Sequence, residues 1–271
     1  MTEGWFEGID PGEDAETEAA IRDGSAGEPA DWPARAVEIG FATDAEDYYD
    51  RLHETATAAA RAAVRDRERA DDQQLTHAIR ARDDCRRTAN ELRERLAEWA
   101  GSLGFDTEPA ALADREPTDP AEKRVTDLAR RVVDLESEAD ALERHVETVA
   151  PAVAPNLAAL AGPTLAARLI SLAGGLEPLA KKPSGTVQVL GAEEALFAHL
   201  RDGAPPPKHG VIYTHEYVRG TDPEHRGSAA RALAGKLSIA ARIDHYAGDR
   251  RGGLAEELDE RIRRIRARGS A

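Results

Sequence analysis

Hydrophobic residues follow a strict seven-residue repeat in two stretches near the middle of the chain. Steps of three and four residues alternate without interruption, first over residues 75–103 and again over 125–153. A repeat of 3.5 residues keeps one apolar seam of a helix facing a partner helix, as in a coiled coil. The first seam is Leu75, Ala78, Arg82, Cys85, Ala89, Leu92, Leu96, Trp99 and Leu103, and the second is Val125, Leu128, Val132, Leu135, Ala139, Leu142, Val146, Val149 and Val153.

A short connection joins the two seams. Residues 104–119 are rich in Pro, Asp and Gly, and Asp119, Pro120 and Glu122 then supply an N-cap, a first-turn proline and a capping-box acid. This predicts an antiparallel hairpin of two helices, each roughly 45 Å long. The hairpin is either a dimerisation element or an internal part of a monomer, and the sequence favours neither. The candidate dimerisation residues are Leu92, Leu96, Trp99, Leu103, Val125, Leu128, Val132 and Leu135.

The chain carries no charge from Thr148 to Ala167, so this stretch imitates a membrane span. It consists largely of Ala and is broken by three prolines, and it would gain too little from lipid to insert. We therefore expect a tightly packed helical core here. Further on, residues 186–191 alone predict a short strand and 192–200 a helix. Core positions are expected at Leu196, Phe197 and Ile212.

The first 45 residues are punctuated by Gly, Pro and Asp, at 8–12 and 24–33 above all. Large apolar residues are scattered among them. This pattern favours a small, irregular, partner-dependent segment over a unit with its own core. Residues 44–70 predict a helix. The first 30 residues contain acids throughout and no apolar signal-peptide region, so we expect a soluble cytoplasmic protein.

Composition narrows the class of protein. The chain has 271 residues, 51 acidic against 36 basic, a net charge of −15, and only 5 lysines among its basic residues. Such a composition is typical of proteins from a cytoplasm of very high salt, where the repulsion between carboxylates is screened. An ordinary Ala- and Arg-rich protein of a GC-rich genome is the alternative. The single Cys85 excludes a disulfide framework and a cysteine-rich zinc site.

The charge is unevenly distributed along the chain. Residues 1–150 hold 19 basic and 38 acidic residues, a net of −19, whereas residues 151–271 hold 17 and 13, a net of +4. A positive part on a negative molecule is a candidate phosphate-facing surface. The basic tail at 261–268 accounts for most of the surplus, so bulk charge alone is weak support.

One long run in the second half of the chain covers about residues 150–248 and reads APNLAALAGPTLAARLISLAGGLEPLAKKPSGTVQVLGAEEALFAHLRDGAPPPKHGVIYTHEYV, continued by RGSAARALAGKLSIAARIDHYAG. This run resembles the Nop domain, the RNA-binding module of core scaffold proteins of box C/D small ribonucleoproteins and their nucleolar and spliceosomal relatives. LRERLAEWAGSLGF, before it, is similar to the coiled coil of the family. The archaeal branch is the one we expect.

The resemblance implies a mainly α protein with four parts. Residues 1–70 would be an amino-terminal segment that docks fibrillarin, although the segment is short beside the α/β domain expected of the family. Residues 71–150 would form the coiled-coil hairpin that pairs two copies, and 151–250 an all-α Nop domain. A basic carboxy-terminal helix or tail, 251–271, would follow.

The resemblance also implies the partners. The Nop domain would grip a box C/D guide RNA kink-turn already bound by a ribosomal-protein-like subunit. Fibrillarin would transfer a methyl group from S-adenosylmethionine to a ribose 2′-hydroxyl, so this chain would need no cofactor and would not be the enzyme.

The family's glycine-led helix start lies at residues 191–200, where backbone N–H groups can bind phosphate. Glu194 stands where Lys is usual, and Ala198 where Arg or another large residue is common. Because lysine–phosphate contacts weaken in molar salt, we expect hydrogen bonds, stacking and shape to dominate. His209 could stack on a base and Arg226 could fork to phosphate. The candidate RNA-binding residues are Gln188, Gly191, Ala192, Lys208, His209, Arg226, Arg231, Lys236 and Arg242.

Catalytic signatures are weak in this sequence. Residues 230–237 (ARALAGKL) end like a P-loop but lack its first glycine and the Ser or Thr after Lys236. The spacing of His209, His215, His225 and His245 fits no standard metal site. We expect no metal and no enzymatic activity. Two alternatives to the methylation scaffold stay open: a Nop-domain assembly factor without a methyltransferase, and a coiled-coil adaptor that only dimerises.

Overall fold

The computed structural model describes residues 4–9, 14–24, 28 and 30–268, which fall into two compact units within 1–70 and 71–271. All regular structure in the described residues is helical, so the mainly α prediction is confirmed.

The first unit contains three helices, α1 (Asp14–Asp23), α2 (Trp32–Glu38) and α3 (Ala45–Arg69). Asp31 and Asp44 cap α2 and α3, because each side chain accepts a hydrogen bond from a backbone N–H of the first turn. The helix predicted over 44–70 is present, whereas no strand occurs in the described part of this unit. The rest of the punctuated stretch, residues 10–13, 25–27 and 29, lies outside the described residues.

The first unit has an aromatic core of its own, which corrects the expectation of an irregular, partner-dependent segment. Phe6 is fully buried and stacks on Phe41 at 5.4 Å between ring centroids, while Tyr48 meets it edge-on at 5.7 Å. Trp5 donates from its indole N–H to the Tyr48 hydroxyl. Each buried aromatic ring removes much more surface from water than an aliphatic residue, so a few rings suffice for a small core.

The second unit begins with a helical hairpin. It consists of α4 (Asp71–Ser102), a short α5 (Pro109–Ala113) within the connection, and α6 (Pro120–Val153). Cross-helix ion pairs show that α4 and α6 run antiparallel, since partners rise along one helix as they fall along the other: Arg82–Glu143, Arg86–Asp140 and Arg93–Glu136. Asp119 caps α6 as predicted, accepting hydrogen bonds from two first-turn amides.

Within the hairpin, every seventh residue of each predicted seam is buried. The fully buried seam residues are Leu75, Ala89, Leu96, Val125, Val132, Ala139 and Val146, together with Arg82, which is paired with acids. In the other heptad row Ala78 is buried, most members are half-buried, and Trp99 is 40% exposed. Of the dimerisation candidates, Leu96, Val125 and Val132 are therefore occupied within one chain. Those with surface left are Leu92, Trp99, Leu103, Leu128 and Leu135.

Nine further elements within residues 71–268 complete the second unit around one core that runs from Leu75 to Ile265. They are α7 (Pro155–Ala161), α8 (Pro163–Ala173), α9 (Leu176–Lys181), α10 (Ser184–Val189), α11 (Glu193–Asp202), a 3₁₀ turn (Val211–Thr214), α12 (Glu216–Arg219), α13 (Arg226–Tyr246) and α14 (Leu254–Ala267).

Two expectations for this region are wrong. Residues 184–189 form α10 rather than a strand, because Val187 is buried against α13 and that packing outweighs the β-branched composition. Phe197 is not in the core but 68% exposed on α11, where Leu196 is half-buried. Ile212 is fully buried, as predicted.

The uncharged stretch forms the expected core. Among the described helices, none alone is long and apolar enough to cross a membrane. The pair α7 and α8 has the length and composition together but bends by 117° at Gly162. Leu157, Leu169 and Ile170 of this pair are fully buried inside the unit.

A buried carboxylate ties the start of α7 to α13. Asp244 accepts hydrogen bonds from the Asn156 backbone N–H at 2.9 Å, the Asn156 side-chain amide at 2.6 Å and the Leu157 N–H at 2.8 Å. The Asn156 side chain continues to the backbone of Asp249 and Arg251. These bonds satisfy the free amides of a helix start and fix the turn that follows α13.

Candidate nucleic-acid interface

The loop between α11 and the 3₁₀ turn is fastened to the end of α10. The Gly210 N–H donates to the Gln188 carbonyl at 2.9 Å and the Val211 N–H to the Leu190 carbonyl at 2.7 Å. The Gln188 side chain donates to the Lys208 carbonyl at 2.7 Å. A Cβ on Gly210 would lie 1.9 Å from the Leu190 oxygen, so only glycine permits this crossing. Gln188 therefore holds the loop in place through its side chain.

Three side chains form a layered stack beside this loop. The His209 ring lies 4.6 Å from the Tyr213 ring at an interplanar angle of 22°, and the Arg226 guanidinium lies 5.6 Å from the Tyr213 centroid. Arg226 is steadied by a 3.0 Å bond from Nε to the Thr221 carbonyl, which leaves its charge uncompensated by that partner. Stacked rings and guanidinium planes are the surfaces on which splayed RNA bases pack.

The surroundings of His209 favour its neutral form. Partial burial lowers the pKa of the His209 imidazole, a hydrogen bond with the residue's own backbone acts against this, and the nearby charges of Arg226 and Lys208 lower the pKa further. A neutral imidazole has one N–H donor and one acceptor nitrogen. Lys208 itself is exposed at the loop tip.

The glycine-led helix start differs from the expectation. Gly191 has a positive φ of +80° and precedes Ala192, the N-cap of α11. Its N–H donates to the Glu193 carboxylate at 2.8 Å, so the amide expected to bind phosphate is already occupied. Glu193 and Glu194 both lie in the first turn, where their charges repel a phosphate.

A groove of about 790 Å³ runs between the base of the hairpin and this loop. Arg80 and Arg168 line one side, and Gly191, Gly210 and Tyr213 line the other.

The two groove arginines are held differently. Arg80 donates to the Ser171 hydroxyl at 3.0 Å and to the Ser171 carbonyl at 3.2 Å, both neutral groups. Arg168 is bidentate to Asp83 at 2.7 and 3.0 Å. Burial acts to raise the pKa of Asp83, but hydrogen bonds from Arg168 and Arg82 hold it below its ordinary value.

Sequence reasoning missed Arg80, Arg168 and Tyr213. Arg168 carried a signal, because it is the single charged residue of α8.

The remaining predicted residues do not join this face. Lys236 forms an ion pair with Glu257 of α14. Arg242 donates from Nε to the Ala180 carbonyl, at the end of α9. Arg231 and Arg242 lie roughly 140° and 160° around the α13 axis from Arg226. The structure thus places Gln188, Gly191, Lys208, His209 and Arg226 around this loop, with Ala192 next to Gly191 in the chain. It separates them from Arg231, Lys236 and Arg242.

One group of possible metal ligands occurs among the described residues. Asp222, Glu224 and His225 place ligand atoms within 4.8 Å of one another just before α13. Asp222 already accepts a hydrogen bond from the Glu224 N–H, and both carboxylates are exposed. The group forms the turn into α13 and carries no assignment of a metal.

Comparison with known proteins agrees with the fold. The family model "Nop: snoRNA binding domain, fibrillarin" matches residues 75–265. An uncharacterized NOP5 family protein of Methanocaldococcus jannaschii is 49% identical over 142 residues, which are 52% of this chain and 34% of that protein. Human nucleolar protein 58 is 36% identical over 146 residues, 52% of this chain and 28% of that one.

A further relative and one solved structure complete the comparison. Nucleolar protein 56 of Schizosaccharomyces pombe is 41% identical over 124 residues, 46% of this chain and 25% of that one. The chain thus spans about a quarter to a third of the length of these curated relatives. A chain in the crystal structure of a fibrillarin/Nop5p complex aligns over 98% of this chain and 99% of its own length, with a TM-score of 0.55 and 26% identity.

Proposed function

This chain belongs to the Nop family, and from that premise we propose that it is a non-catalytic scaffold subunit of a box C/D guide ribonucleoprotein. In this proposal the Nop domain binds kink-turn RNA together with a ribosomal-protein-like subunit. Fibrillarin, held by the same scaffold, carries out 2′-O-ribose methylation.

The observation that carries the proposal is the stack of His209, Tyr213 and Arg226. It presents a neutral imidazole, a guanidinium plane and the exposed Lys208 together on a chain whose net charge is −15. Recognition of RNA by stacking and hydrogen bonds keeps its strength in salt that screens simple charge pairs. The carboxylates of Glu193 and Glu194 direct phosphate away from the α11 start and toward this stack.

Docking of fibrillarin is proposed for the first unit, residues 1–70. Support comes from the solved chain of the fibrillarin/Nop5p complex, whose alignment extends over 98% of this chain. The aromatic core around Phe6 and Tyr48 supplies a folded platform rather than a loose segment. Removal of the whole unit at residue 70 should abolish capture of fibrillarin, and undiminished capture would refute this part.

Pairing of two copies is proposed for the hairpin. The half-buried heptad row with Trp99 at 40% exposure leaves apolar surface near the far end, where Leu92 and Leu128 border a small core with Leu112 of α5. The 34-residue helix α6 is roughly 50 Å long, so a rigid hairpin could set the distance between the RNA site and the methyltransferase.

The proposal is tested by reconstitution of the ternary complex. A box C/D kink-turn RNA and its ribosomal-protein-like subunit are mixed with the wild-type chain, His209→Ala or Arg226→Ala in concentrated KCl. Each substitution should weaken assembly by about 5- to 30-fold, since each removes a stacking or charged contact of about 1 to 2 kcal/mol.

Arg131→Ala is the matched control, because this arginine is 77% exposed on the hairpin and pairs with the nearby Asp134. It should bind like the wild type. Equal binding by all four chains would overturn the assignment of the face. Complex formation without capture of fibrillarin would favour an assembly factor that has no methyltransferase.

A further inference from the structure

The outward side of α3 carries a heptad pattern of its own. One set of residues follows steps of three, four, three, four and three, a spacing that keeps its members on one side of a helix. Thr57, in the middle of the set, lies about 180° around the helix axis from the buried Tyr48. The set therefore faces away from the aromatic core of the first unit. We call it the outer seam, and it consists of Asp50, His53, Thr57, Ala60, Val64 and Arg67.

Apolar surface lies open along the outer seam. Val64 is 61% exposed, and Tyr49 beside the seam is 59% exposed. A groove of about 650 Å³ runs along the same side, and its walls are side chains of α3, among them Thr57, Ala60 and Val64. Exposed apolar side chains around a groove are typical of a surface that packs against another chain. The outer seam is therefore a candidate docking surface.

Between residues 50 and 67 the charges on this side of α3 run from acidic to basic. Asp50 and Glu54 lie in the first half of the helix, whereas Arg61 and Arg67 lie in the second half. Asp50, Glu54 and Arg61 form no ion pair with any other residue that the structure describes. A helix face with one acidic half and one basic half is complementary to a copy of itself laid antiparallel, because each acid then faces a base.

The spacing of the outer seam also suits antiparallel pairing. Its steps read the same from either end, so two copies laid antiparallel match along the whole seam. The small side chains of Thr57 and Ala60 meet at the centre, and a two-fold axis between the helices repeats every contact. The facing pairs, each formed twice, are Asp50 with Arg67, His53 with Val64, and Thr57 with Ala60.

An ion pair beside the seam specifies the register. Glu54 and Arg61 each directly follow a seam residue and are seven residues apart, so they lie on the same flank of α3. Antiparallel packing brings equal flanks of two helices together, which places Glu54 of one copy beside Arg61 of the other, and the reverse. A slip of one heptad would instead bring Glu54 against Glu54 or Arg61 against Arg61. The charges therefore favour one register over its neighbours.

We propose that the outer seam of α3 pairs antiparallel with the outer seam of a second copy of this chain. The match between its two halves favours self-pairing, since an unrelated protein would require no such match. A polyanion such as RNA would be repelled by Asp50 and Glu54. The surface lies outside the hairpin, so a chain that uses both surfaces can form assemblies larger than a dimer. The inference is independent of RNA binding and of the docking of fibrillarin.

Cysteine cross-linking in the full chain tests the geometry. Cys85 is first replaced by Ala, and Thr57→Cys then supplies a thiol near the two-fold axis, where a short bismaleimide should join two chains. Glu46→Cys is the matched control, because this exposed position lies on the same side of α3. Antiparallel pairing places position 46 roughly 35 to 40 Å from its counterpart. We expect a cross-linked dimer from Thr57→Cys and about tenfold less from Glu46→Cys, whose thiols the linker cannot span.

Charge reversal tests the register. Arg61→Glu sets two like-charge pairs across the interface and should slow the cross-linking of Thr57→Cys by about fivefold or more. Glu54→Arg/Arg61→Glu should restore the rate to within about twofold, because opposite charges face each other again. Arg131→Glu on the hairpin, at a position that is 77% exposed, is the control and should leave the rate unchanged. The effect of Arg61→Glu should shrink as KCl is raised, since salt screens exposed charges.

Three results would overturn the inference. The first is the absence of a cross-link from Thr57→Cys. The second is an equal yield from Thr57→Cys and Glu46→Cys, which would indicate parallel or unspecific association. The third is a rate that Arg61→Glu leaves unchanged, or that it lowers without recovery in the double variant. Loss of fibrillarin capture by Arg61→Glu, without any cross-link from Thr57→Cys, would assign this side of α3 to fibrillarin instead.

Discussion

Gly210→Ala is the sharpest test of how the fold positions the candidate RNA-binding face. The added Cβ would lie 1.9 Å from the Leu190 oxygen, 2.6 Å from its carbonyl carbon and 2.7 Å from the Val189 carbonyl carbon. All three neighbours are backbone atoms, which cannot rotate away. The loop must therefore move by more than about 1 Å to reach ordinary contact distance.

That displacement has a calculable cost. It breaks the bond from the Gly210 N–H to the Gln188 carbonyl and the bond from the Val211 N–H to the Leu190 carbonyl. Each bond contributes about 0.5 to 1.5 kcal/mol, and a buried group left unpaired costs more. The free energy of unfolding should fall by about 2 to 4 kcal/mol, and Lys208 and His209 should lose their fixed positions.

The measurement combines urea unfolding with amide hydrogen exchange. Exchange at residues 210 and 211 should accelerate in Gly210→Ala, and assembly with the kink-turn complex should weaken with it. Gly227→Ala is the matched control, because nothing lies within 4 Å of its Cβ position in the first turn of α13. It should leave stability unchanged or raise it by up to about 1 kcal/mol. Stability within about 0.5 kcal/mol of the wild type, with unchanged exchange, would refute the reasoning.

Three further predictions concern the side chains of Asp244, His215 and Trp99. Asp244→Ala should lower the free energy of unfolding by about 3 to 5 kcal/mol, because three donors lose their acceptor; a urea-melt difference below about 1 kcal/mol would contradict this. His215 accepts from the Tyr217 N–H and contacts the Leu160 carbonyl, and burial lowers its pKa, so stability should be complete above about pH 6.5 and fall as the pH drops below it. In urea melts, His215→Gln should lose less stability at acid pH than the wild type does. A pH profile identical to that of the wild type would exclude His215 as a source of the acid instability. Trp99→Ala should weaken self-association in sedimentation by about tenfold while changing monomer stability by less than about 1.5 kcal/mol, and an unchanged dimer would exclude this surface.

The hairpin was predictable because its signal is local and periodic. Alternating steps of three and four place two residues in every seven along the seam whatever the rest of the chain does, and Leu75, Ala89, Leu96 and Val132 are buried accordingly. The sequence did not predict that the other heptad row, which includes Trp99, would stay half-exposed. That exposure depends on how the two helices face each other.

Short apolar segments were less predictable. Thr186, Val187 and Val189 favour a strand by composition, but Val187 packs on α13, which lies some forty residues later in the chain. The aromatic residues of the first unit likewise follow no periodic spacing along the sequence, although Phe6, Phe41 and Tyr48 pack together in a core. In both cases distant contacts decide the outcome.

The candidate site was predictable in part. His209 in the loop and Arg226 at the start of α13 lie together, as a shared face requires, whereas Tyr213 between them was missed. Lys236 could not be separated from them by sequence, because its partner Glu257 lies on another helix. Basic residues on one helix share a face only when their spacing and their partners allow it.

The most direct test of the central claim is the affinity of the wild-type chain for three targets in concentrated KCl: the kink-turn RNA alone, the ribosomal-protein-like subunit alone, and the two preassembled. The account predicts tight binding to the preassembled pair and binding weaker by about a hundredfold or more to either component, since each offers only part of the surface. Equal affinity for the free RNA and for the pair, or no binding to the pair, would contradict it.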